Sequence, residues 1–248
     1  MKIALIGYGK MGRTIEALGL MQGHSFPLII DENNPGDLNA EKLQDIDAAI
    51  EFTIPAAAPG NISACLQLGL PVVSGTTGWN SRLPEIENLC KETGGCLFHA
   101  SNFSIGVNIL FVMNRQLARI MDRFPAYRVS MEEVHHIHKL DAPSGTAISL
   151  AEQILEESSH LKGWKLKGEP KLETATARLR KQDHLPIEAI REGEVKGRHT
   201  ITYESEVDSL SLSHDARSRE AFAAGALLAA DFVQGKSGVF GMHDLLKL

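Results

Sequence analysis

The chain has 248 residues, of which 43% are apolar and 6% aromatic, and its formal net charge is −6. A chain of this size can bury the core of one large or two modest domains. The acidic balance argues against a broad basic surface for phosphate backbones, so we expect no nucleic-acid partner. No apolar run reaches the roughly 18 residues of a membrane span, so we expect none. Unpaired Cys65, Cys90 and Cys96 indicate buried thiols in a reducing compartment, the cytoplasm.

The first part of the chain alternates apolar, β-rich runs with helical periodicity. Strands are predicted at 2–6, 26–30, 46–52, 71–74 and 96–100, and helices at 15–21, 57–68 and 84–92. This order is typical of a Rossmann-like, doubly wound parallel sheet in the α/β class. In such a sheet the ligand lies along the carboxyl ends of the strands.

The pattern changes after residue 104, and a second, α+β domain is predicted for substrate binding and oligomerisation. Its elements are a helix at 105–123, a strand at 127–134, a helix ending near 158, a polar stretch at 162–186 expected to be the most flexible, and strands at 188–192, 199–204 and 210–214. The late strands alternate and look antiparallel.

An apolar helix at 219–233 and the tail at 239–248 are predicted to pack back on the first domain. The predicted domains are therefore 1–103 with 218–248, and 104–217. Hinges are expected near Ser104 and Arg217, where the chain passes between them.

A glycine motif, Gly7-x-Gly9-x-x-Gly12, follows the first strand and opens the first helix. Glycines in this setting let backbone N–H groups approach a pyrophosphate closely, although a purely structural turn is the plainer alternative. The motif predicts dinucleotide binding by Gly7, Tyr8, Gly9, Lys10, Met11 and Gly12.

An acidic residue, Asp31, follows the second strand at the distance expected for a carboxylate that binds the adenosine ribose hydroxyls. Neither it nor Glu32 suits a 2′-phosphate, so NADH is favoured over NADPH. Lys10 or Arg13 reaching such a phosphate stays open.

The later strand ends would face the same crevice. They could contact the nicotinamide or its ribose, or be ordinary tight turns and loops. The residues concerned are Phe52, Thr53, Gly75, Thr76, Thr77, Ala100, Ser101, Asn102 and Phe103.

Three imidazoles and an ammonium lie within five residues, at His135, His136, His138 and Lys139. Imidazoles donate protons near neutral pH, so this segment predicts cationic catalysis. A solvated polar strand is the plain alternative. His135 and His136 would point to opposite faces of a strand, whereas His136 and His138 could share a metal. We predict no metal site.

A predicted helix begins directly after this cluster, at Ser144, Gly145 and Thr146. Free N–H groups at a helix start bind anions. A proton-donating strand end beside such a start suits a small substrate that carries carboxylates.

The segment 133–147, EVHHIHKLDAPSGTA, resembles the signature of the dihydrodipicolinate reductase family. GTTG at 75–78, ASNFSIGVN at 100–108 and GVF at 238–240 are similar to further segments of that family, in the same order. The resemblance implies NAD(P)H-dependent reduction of a cyclic dicarboxylate imine to tetrahydrodipicolinate, in the diaminopimelate route to lysine. It also implies a homotetramer.

The same resemblance implies roles for individual residues. His135 would be the proton donor or acceptor and Lys139 a second donor, while His136, Gly145 and Thr146 would hold the substrate carboxylates. Two other functions compete with this one: another amino-acid dehydrogenase, acting on aspartate or homoserine, and a non-catalytic NAD(H) sensor.

Overall fold

The computed structural model describes residues 1–167 and 182–248. Residues 168–181, the middle of the polar stretch predicted to be most flexible, lie outside the described part. The chain divides into two compact units, residues 1–108 with 219–248 and residues 109–218. These bounds lie close to the expected boundaries at 103/104 and 217/218.

The described secondary structure alternates strands and helices in the first part and groups strands later. The strands are β1 (Lys2–Ile6), β2 (Ser25–Ile30), β3 (Ala48–Glu51), β4 (Val72–Ser74), β5 (Cys96–His99), β6 (Arg128–His135), β7 (Trp164–Leu166), β8 (Leu185–Arg191), β9 (Arg198–Glu204), β10 (Ser209–Asp215) and β11 (Gly238–Phe240). The helices are α1 (Lys10–Met21), α2 (Ala40–Leu43), α3 (Ala58–Gln67), α4 (Leu83–Thr93), α5 (Ile105–Met121), α6 (Gly145–Glu157), α7 (Glu220–Phe232) and α8 (Met242–Leu246).

The first unit contains a six-stranded sheet in the order β11-β5-β4-β3-β1-β2, with every described pairing parallel. Alternate residues of each strand face opposite sides. Ile3 and Leu5 therefore join a core with α1 and α7, whereas Ala4 and Ile6 join a core with α3 and α4. Helices on both faces confirm the predicted Rossmann-like, doubly wound sheet.

The C-terminal segment packs on this unit. Helix α7 packs against α1, and β11 adds a parallel strand beside β5, which the sequence pattern did not predict. Close packing of α7 depends on a small residue, because a Cβ on Gly225 would lie 1.8 Å from the carbonyl oxygen of Phe103. The alanine-rich sequence of α7 thus serves close approach as well as helix formation.

The described residues of the second unit form a five-stranded mixed sheet in the order β10-β9-β6-β8-β7. Strands β9 and β10 are antiparallel to their neighbours, as predicted, but β8 runs parallel to both β6 and β7. The antiparallel prediction for β8 was therefore wrong. An alternating pattern reports which face of a strand is buried, and strand direction is set by the crossover, which here includes α6.

Side chains on one face of this sheet form a core with α5 and α6. This packing makes the unit α+β, as expected. All three cysteines of the chain are unpaired and buried. Among the described residues, no helix has both the length and the apolar character to cross a membrane.

We predict opposite effects for alanine at two helical glycines. Gly225→Ala should lower the free energy of unfolding by about 1–3 kcal/mol, because its Cβ meets a backbone oxygen that cannot move aside easily. Gly60→Ala, in α3, should raise it by about 0.5–1 kcal/mol, because nothing lies within 4 Å of the new Cβ. Urea unfolding measures both, and equal effects would contradict the packing described for α7.

Candidate functional site

The histidine predicted to be catalytic lies at the carboxyl end of β6, the central strand of the second sheet. The side chains of Val129 and Met131 lie on one face of this strand and pack in the core, and those of Glu133 and His135 lie on the same face. Glu133 is fully buried and His135 is 8% exposed. The strand thus holds a carboxylate and an imidazole inside the protein, where their electrostatic interactions are stronger than in water.

Both carboxylate oxygens of Glu133 have protein partners. Oε1 accepts a hydrogen bond from Nη2 of Arg191, and Oε2 accepts one from the backbone N–H of Ser144, each at 3.1 Å. His135 Nδ1 lies 3.2 Å from Oε2, within ion-pair distance but outside hydrogen-bond geometry. Burial raises the pKa of Glu133, but the contacts with His135, Ser144 and Arg191 outweigh it and lower the pKa to about 2. Glu133 is therefore ionised at neutral pH.

The two ring nitrogens of His135 have different surroundings. Nδ1 faces Glu133, whereas Nε2 faces Gly197, whose φ is +150°. A Cβ at Gly197 would lie 3.1 Å from Nε2. Nε2 thus lies against the backbone of a glycine, on the side of the ring away from the Glu133 carboxylate.

A further imidazole, His199, belongs to the same cluster. Its ring centroid lies 5.2 Å from that of His135, and its Nε2 lies 3.1 Å from Oγ of Ser144. Burial, followed by the positive charge of His135, lowers the pKa of His199 to about 4. His199 is therefore neutral at physiological pH.

The N–H groups at the start of α6 differ in their partners. Of the donors at a helix start, the N–H of Ser144 bonds Glu133, and the N–H of Ala147 bonds the Ser144 hydroxyl at 3.2 Å. The hydroxyl and N–H of Ser144 thus face protein, and Ser144 is 3% exposed. Gly145 is exposed and Thr146 half-buried, so their N–H groups are the donors best placed for an anion.

Lys139 lies in the loop between β6 and α6, and its side chain is 21% exposed. Its Nζ lies 2.8 Å from both carboxylate oxygens of Asp141. Hydrogen bonding with Lys139 lowers the pKa of Asp141. The loop therefore holds its ammonium by an ion pair that a substrate carboxylate can replace.

His136 lies outside the buried cluster. Its ring centroid is 6.1 Å from that of His138, whose side chain is 71% exposed. Within the described ranges, the side chains with metal-ligand spacing are instead Glu133, His135 and His199, whose ligand atoms lie within 4.8 Å of one another. Arg191 and Ser144 already donate hydrogen bonds to the two oxygens of Glu133. The positive guanidinium of Arg191 balances the carboxylate charge that a metal cation would otherwise balance.

In the glycine motif of the first unit, packing requires a glycine at two positions and does not require one at the third. Gly7 has a φ of +98°, and a Cβ there would lie 2.0 Å from the carbonyl oxygen of Phe52. Gly12 would meet the carbonyl oxygen of Gly7 at 2.3 Å. Gly9, which precedes α1, has nothing within 4 Å of its added Cβ, so internal packing does not require a glycine there. Lys10 is exposed, and Tyr8 and Met11 are half-buried.

A buried carboxylate, Glu51, orders the ends of β3 and β4. Its Oε2 accepts the Ser74 hydroxyl at 2.7 Å, and its Oε1 accepts the Thr76 hydroxyl at 2.8 Å and the Thr53 N–H at 3.0 Å. Of the residues predicted to bind the cofactor here, Thr76 is therefore occupied by protein contacts, while Thr77 is exposed.

Other predicted cofactor residues lie at neighbouring strand ends. A Cβ on Gly75 would lie 2.2 Å from the ring of Phe52, so this glycine makes room for the ring. Phe103 is buried, with its ring centroid 5.7 Å from that of Phe52.

Oδ1 of Asp31 accepts hydrogen bonds from the backbone and side chain of Asn33, at 2.8 and 3.1 Å. Ala100 is buried, Ser101 is exposed and Asn102 is half-buried.

Comparison with known proteins assigns the family. Residues 1–103 match the family model described as dihydrodipicolinate reductase, N-terminus, and residues 106–246 match the model of its C-terminus. The chain belongs to the dihydrodipicolinate reductase family. The family resemblance read from the sequence is thereby confirmed.

Individual relatives agree with this assignment. The chain is 44% identical over 248 residues to a 4-hydroxy-tetrahydrodipicolinate reductase of Christiangramia forsetii, and the aligned region covers 99% of this chain and 98% of the relative. It is 40% identical over 205 residues to the enzyme of that name from Methanopyrus kandleri, covering 82% of this chain and 72% of the relative. A dipicolinate-bound dihydrodipicolinate reductase from Paenisporosarcina sp. TG-14 superposes with a TM-score of 0.74 at 26% identity, covering 98% of both chains.

Sequence reasoning missed three residues of the buried cluster, namely Glu133 as its centre, Arg191 and His199. In the sequence, Glu133 stood out only as the first residue of the segment 133–147. Arg191 and His199 lie in β8 and β9, far along the chain, and strand pairing brings them to the end of β6. Register was the signal required, because His135 pairs with Arg191 and Glu133 pairs with His199.

The depressed pKa of His199 predicts a pH-dependent loss of stability. As pH falls below about 6.5, the unfolded chain binds a proton that folded His199 does not bind until about pH 4, so acid favours unfolding. Between about pH 7 and pH 5 this effect should cost about 2 kcal/mol. Urea unfolding should show that His199→Gln loses about that much less stability over this range than the wild type. His138→Gln, at an exposed position, should follow the wild type.

Proposed function

We propose that the chain catalyses the NAD(P)H-dependent reduction of 4-hydroxy-tetrahydrodipicolinate, also called dihydrodipicolinate, to tetrahydrodipicolinate in the diaminopimelate route to lysine. The observation that carries the proposal is the buried Glu133–His135 pair beside the open start of α6, in a chain of this reductase family. This arrangement combines a proton donor with an anion site on one sheet end.

The proposed chemistry needs an acid beside the substrate ring. The bound nicotinamide supplies a hydride. Adding a hydride to a conjugated imine leaves electron density that a proton must quench, and Nε2 of His135, the ring nitrogen that faces away from Glu133, would deliver it. Glu133 faces the opposite nitrogen, Nδ1, and so orients the imidazole ring.

Two carboxylates on the substrate require two sets of donors. The N–H groups of Gly145 and Thr146 fit one carboxylate, and Ser144 shapes this site by capping α6. Lys139, with His136 near by in sequence, suits the second carboxylate or a second proton transfer. To act, Lys139 exchanges its contact with Asp141 for one with the substrate.

Removing either proposed proton donor should slow reduction more than it weakens cofactor binding. His135→Gln and Lys139→Met should each lower kcat by about 100-fold or more. The loss of reduced-nicotinamide absorbance, with enzymatically generated dicarboxylate as substrate, measures the rate. Fluorescence titration with NADH should give unchanged affinity. Full activity in both variants would remove the proposed roles.

The same assay separates the rival functions. Wild-type oxidation of NADH with aspartate semialdehyde, or NAD⁺ reduction with aspartate or homoserine, but none with the cyclic dicarboxylate, would indicate another amino-acid dehydrogenase. Nucleotide binding without turnover of any of them would indicate a sensor.

The proposal places the cofactor at the carboxyl ends of the first sheet. Gly9 supports this placement, because no atom of the described residues lies within 4 Å of a Cβ added there, and a pyrophosphate needs close approach to the backbone. The contacts of the protein with the cofactor would come from the glycine loop, Asp31 and the loops 52–53, 75–77 and 100–103. For Phe103 they would be backbone contacts, since its ring is in the core.

NADH should be the better cofactor. Asp31 keeps one carboxylate oxygen beyond its contacts with Asn33, and Glu32 beside it is exposed, so a 2′-phosphate would meet two negative charges. Steady-state rates should show a higher kcat/KM with NADH than with NADPH, and Asp31→Ser with Glu32→Arg should reverse that order. A clear wild-type preference for NADPH would contradict the assignment of Asp31.

The proposal also includes a cytoplasmic homotetramer, as the family resemblance implies. The buried, unpaired cysteines suit a reducing compartment. Within the described ranges, β10 is an edge strand of the second sheet, and its Leu210 side chain is 48% exposed. An exposed edge of this kind suits a subunit contact.

A further inference from the structure

We propose that Arg191, together with Glu133, is a positioning residue that holds Lys139 and His135 in place for the reaction. This inference rests on the proposed function, since it concerns the same proton donors. No local sequence pattern indicated this role, because Arg191 lies in β8, separated from the histidine segment by α6 and β7.

The guanidinium of Arg191 donates hydrogen bonds to backbone carbonyl oxygens and to one carboxylate oxygen around that segment. Nε donates to the carbonyl oxygen of Lys139 at 3.2 Å, and Nη2 donates to the carbonyl oxygen of Asp141 at 2.5 Å. Nη2 also donates to Oε1 of Glu133 at 3.1 Å, and Nη1 donates to the carbonyl oxygen of Ile190 at 2.8 Å. One side chain therefore fixes the loop on both sides of Leu140.

These contacts require an arginine. A guanidinium presents five N–H donors in a planar fork, whereas an ammonium is a compact point charge that cannot reach several separated oxygens at once. The sheet fixes the backbone from which this side chain extends, since Arg191 pairs with His135 in the parallel β6–β8 ladder. Its side chain is 21% exposed, so water competes weakly for the same oxygens.

Glu133 extends the arrangement to the other proposed groups. Its Oε1 meets Arg191, while its Oε2 meets His135 and the N–H of Ser144 at the start of α6. Arg191 thus prevents the Glu133 carboxylate from turning away from His135, and it holds the loop that carries Lys139. A buried carboxylate without this partner would carry an uncompensated charge.

Arg191→Lys tests the proposal because it keeps the charge and removes the fork. We expect kcat for dicarboxylate reduction to fall by about 10- to 100-fold, with the KM for NADH within about twofold of wild type. Arg119→Lys is the matched control, because Arg119 forms a bidentate pair with Glu157 on the surface of the same unit. The control should keep wild-type kcat, and an unchanged kcat in Arg191→Lys would overturn the proposal.

A second variant guards against simple misfolding. Glu133→Gln keeps the size of the side chain and an acceptor for Ser144, and it should also lower kcat. If the two residues act as one unit, the loss in the double variant should be close to the larger single loss. Losses that multiply would show independent effects and would contradict joint positioning. Added guanidinium ion should partly restore kcat in Arg191→Ala and should leave the wild-type kcat expected of Arg119→Ala unchanged.

Hydrogen exchange gives a readout that does not depend on activity. The peptide covering 136–142 should exchange faster in Arg191→Lys than in the wild type and in Arg119→Lys, because two carbonyl contacts of the loop are lost. If the wild type fails to reduce the dicarboxylate, the proposed function fails while this measurement still decides the positioning role. Equal exchange in all three proteins would overturn the positioning role.

Discussion

The ionised carboxylate of Glu133 is the interaction on which the second unit depends. It is buried at the end of the central strand, and a buried charge persists only when its partners compensate for lost hydration. Those partners come from three places: the guanidinium of Arg191 on β8, the N–H of Ser144 at the start of α6, and the imidazole of His135. Satisfying one charge thereby fixes a strand end, a loop and a helix start together.

The first unit uses a related device with different partners. Glu51 is also a fully buried carboxylate at the end of a central strand, but it is bonded by hydroxyl and N–H groups of Thr53, Ser74 and Thr76. These hydrogen bonds join the loops after β3 and β4. In both units a buried acid orders the polar loops that follow parallel strands, which is where ligands of such sheets bind.

Much of the fold followed from local patterns. Alternating strands and helices predicted the doubly wound sheet, because parallel strands need a helix between them. The alanine-rich segment before the C-terminus predicted a buried helix, now seen as α7. The short strands β7 and β11 were missed, because three residues carry too little periodicity to be recognised. The direction of β8 was wrong because alternation carries no information about direction.

The sequence by itself determined the family, the glycine loop and the concentration of imidazoles and lysine before a helix start, because these lie within short, contiguous segments. The tertiary structure alone decided which nitrogen of His135 faces Glu133, which faces Gly197, and which other groups surround the ring. Arg191 and His199 reach that ring through strand pairing across about 60 residues, and Gly197 directly precedes β9, the strand that carries His199. Pairing register is set by packing of the whole sheet, so no local pattern contains it.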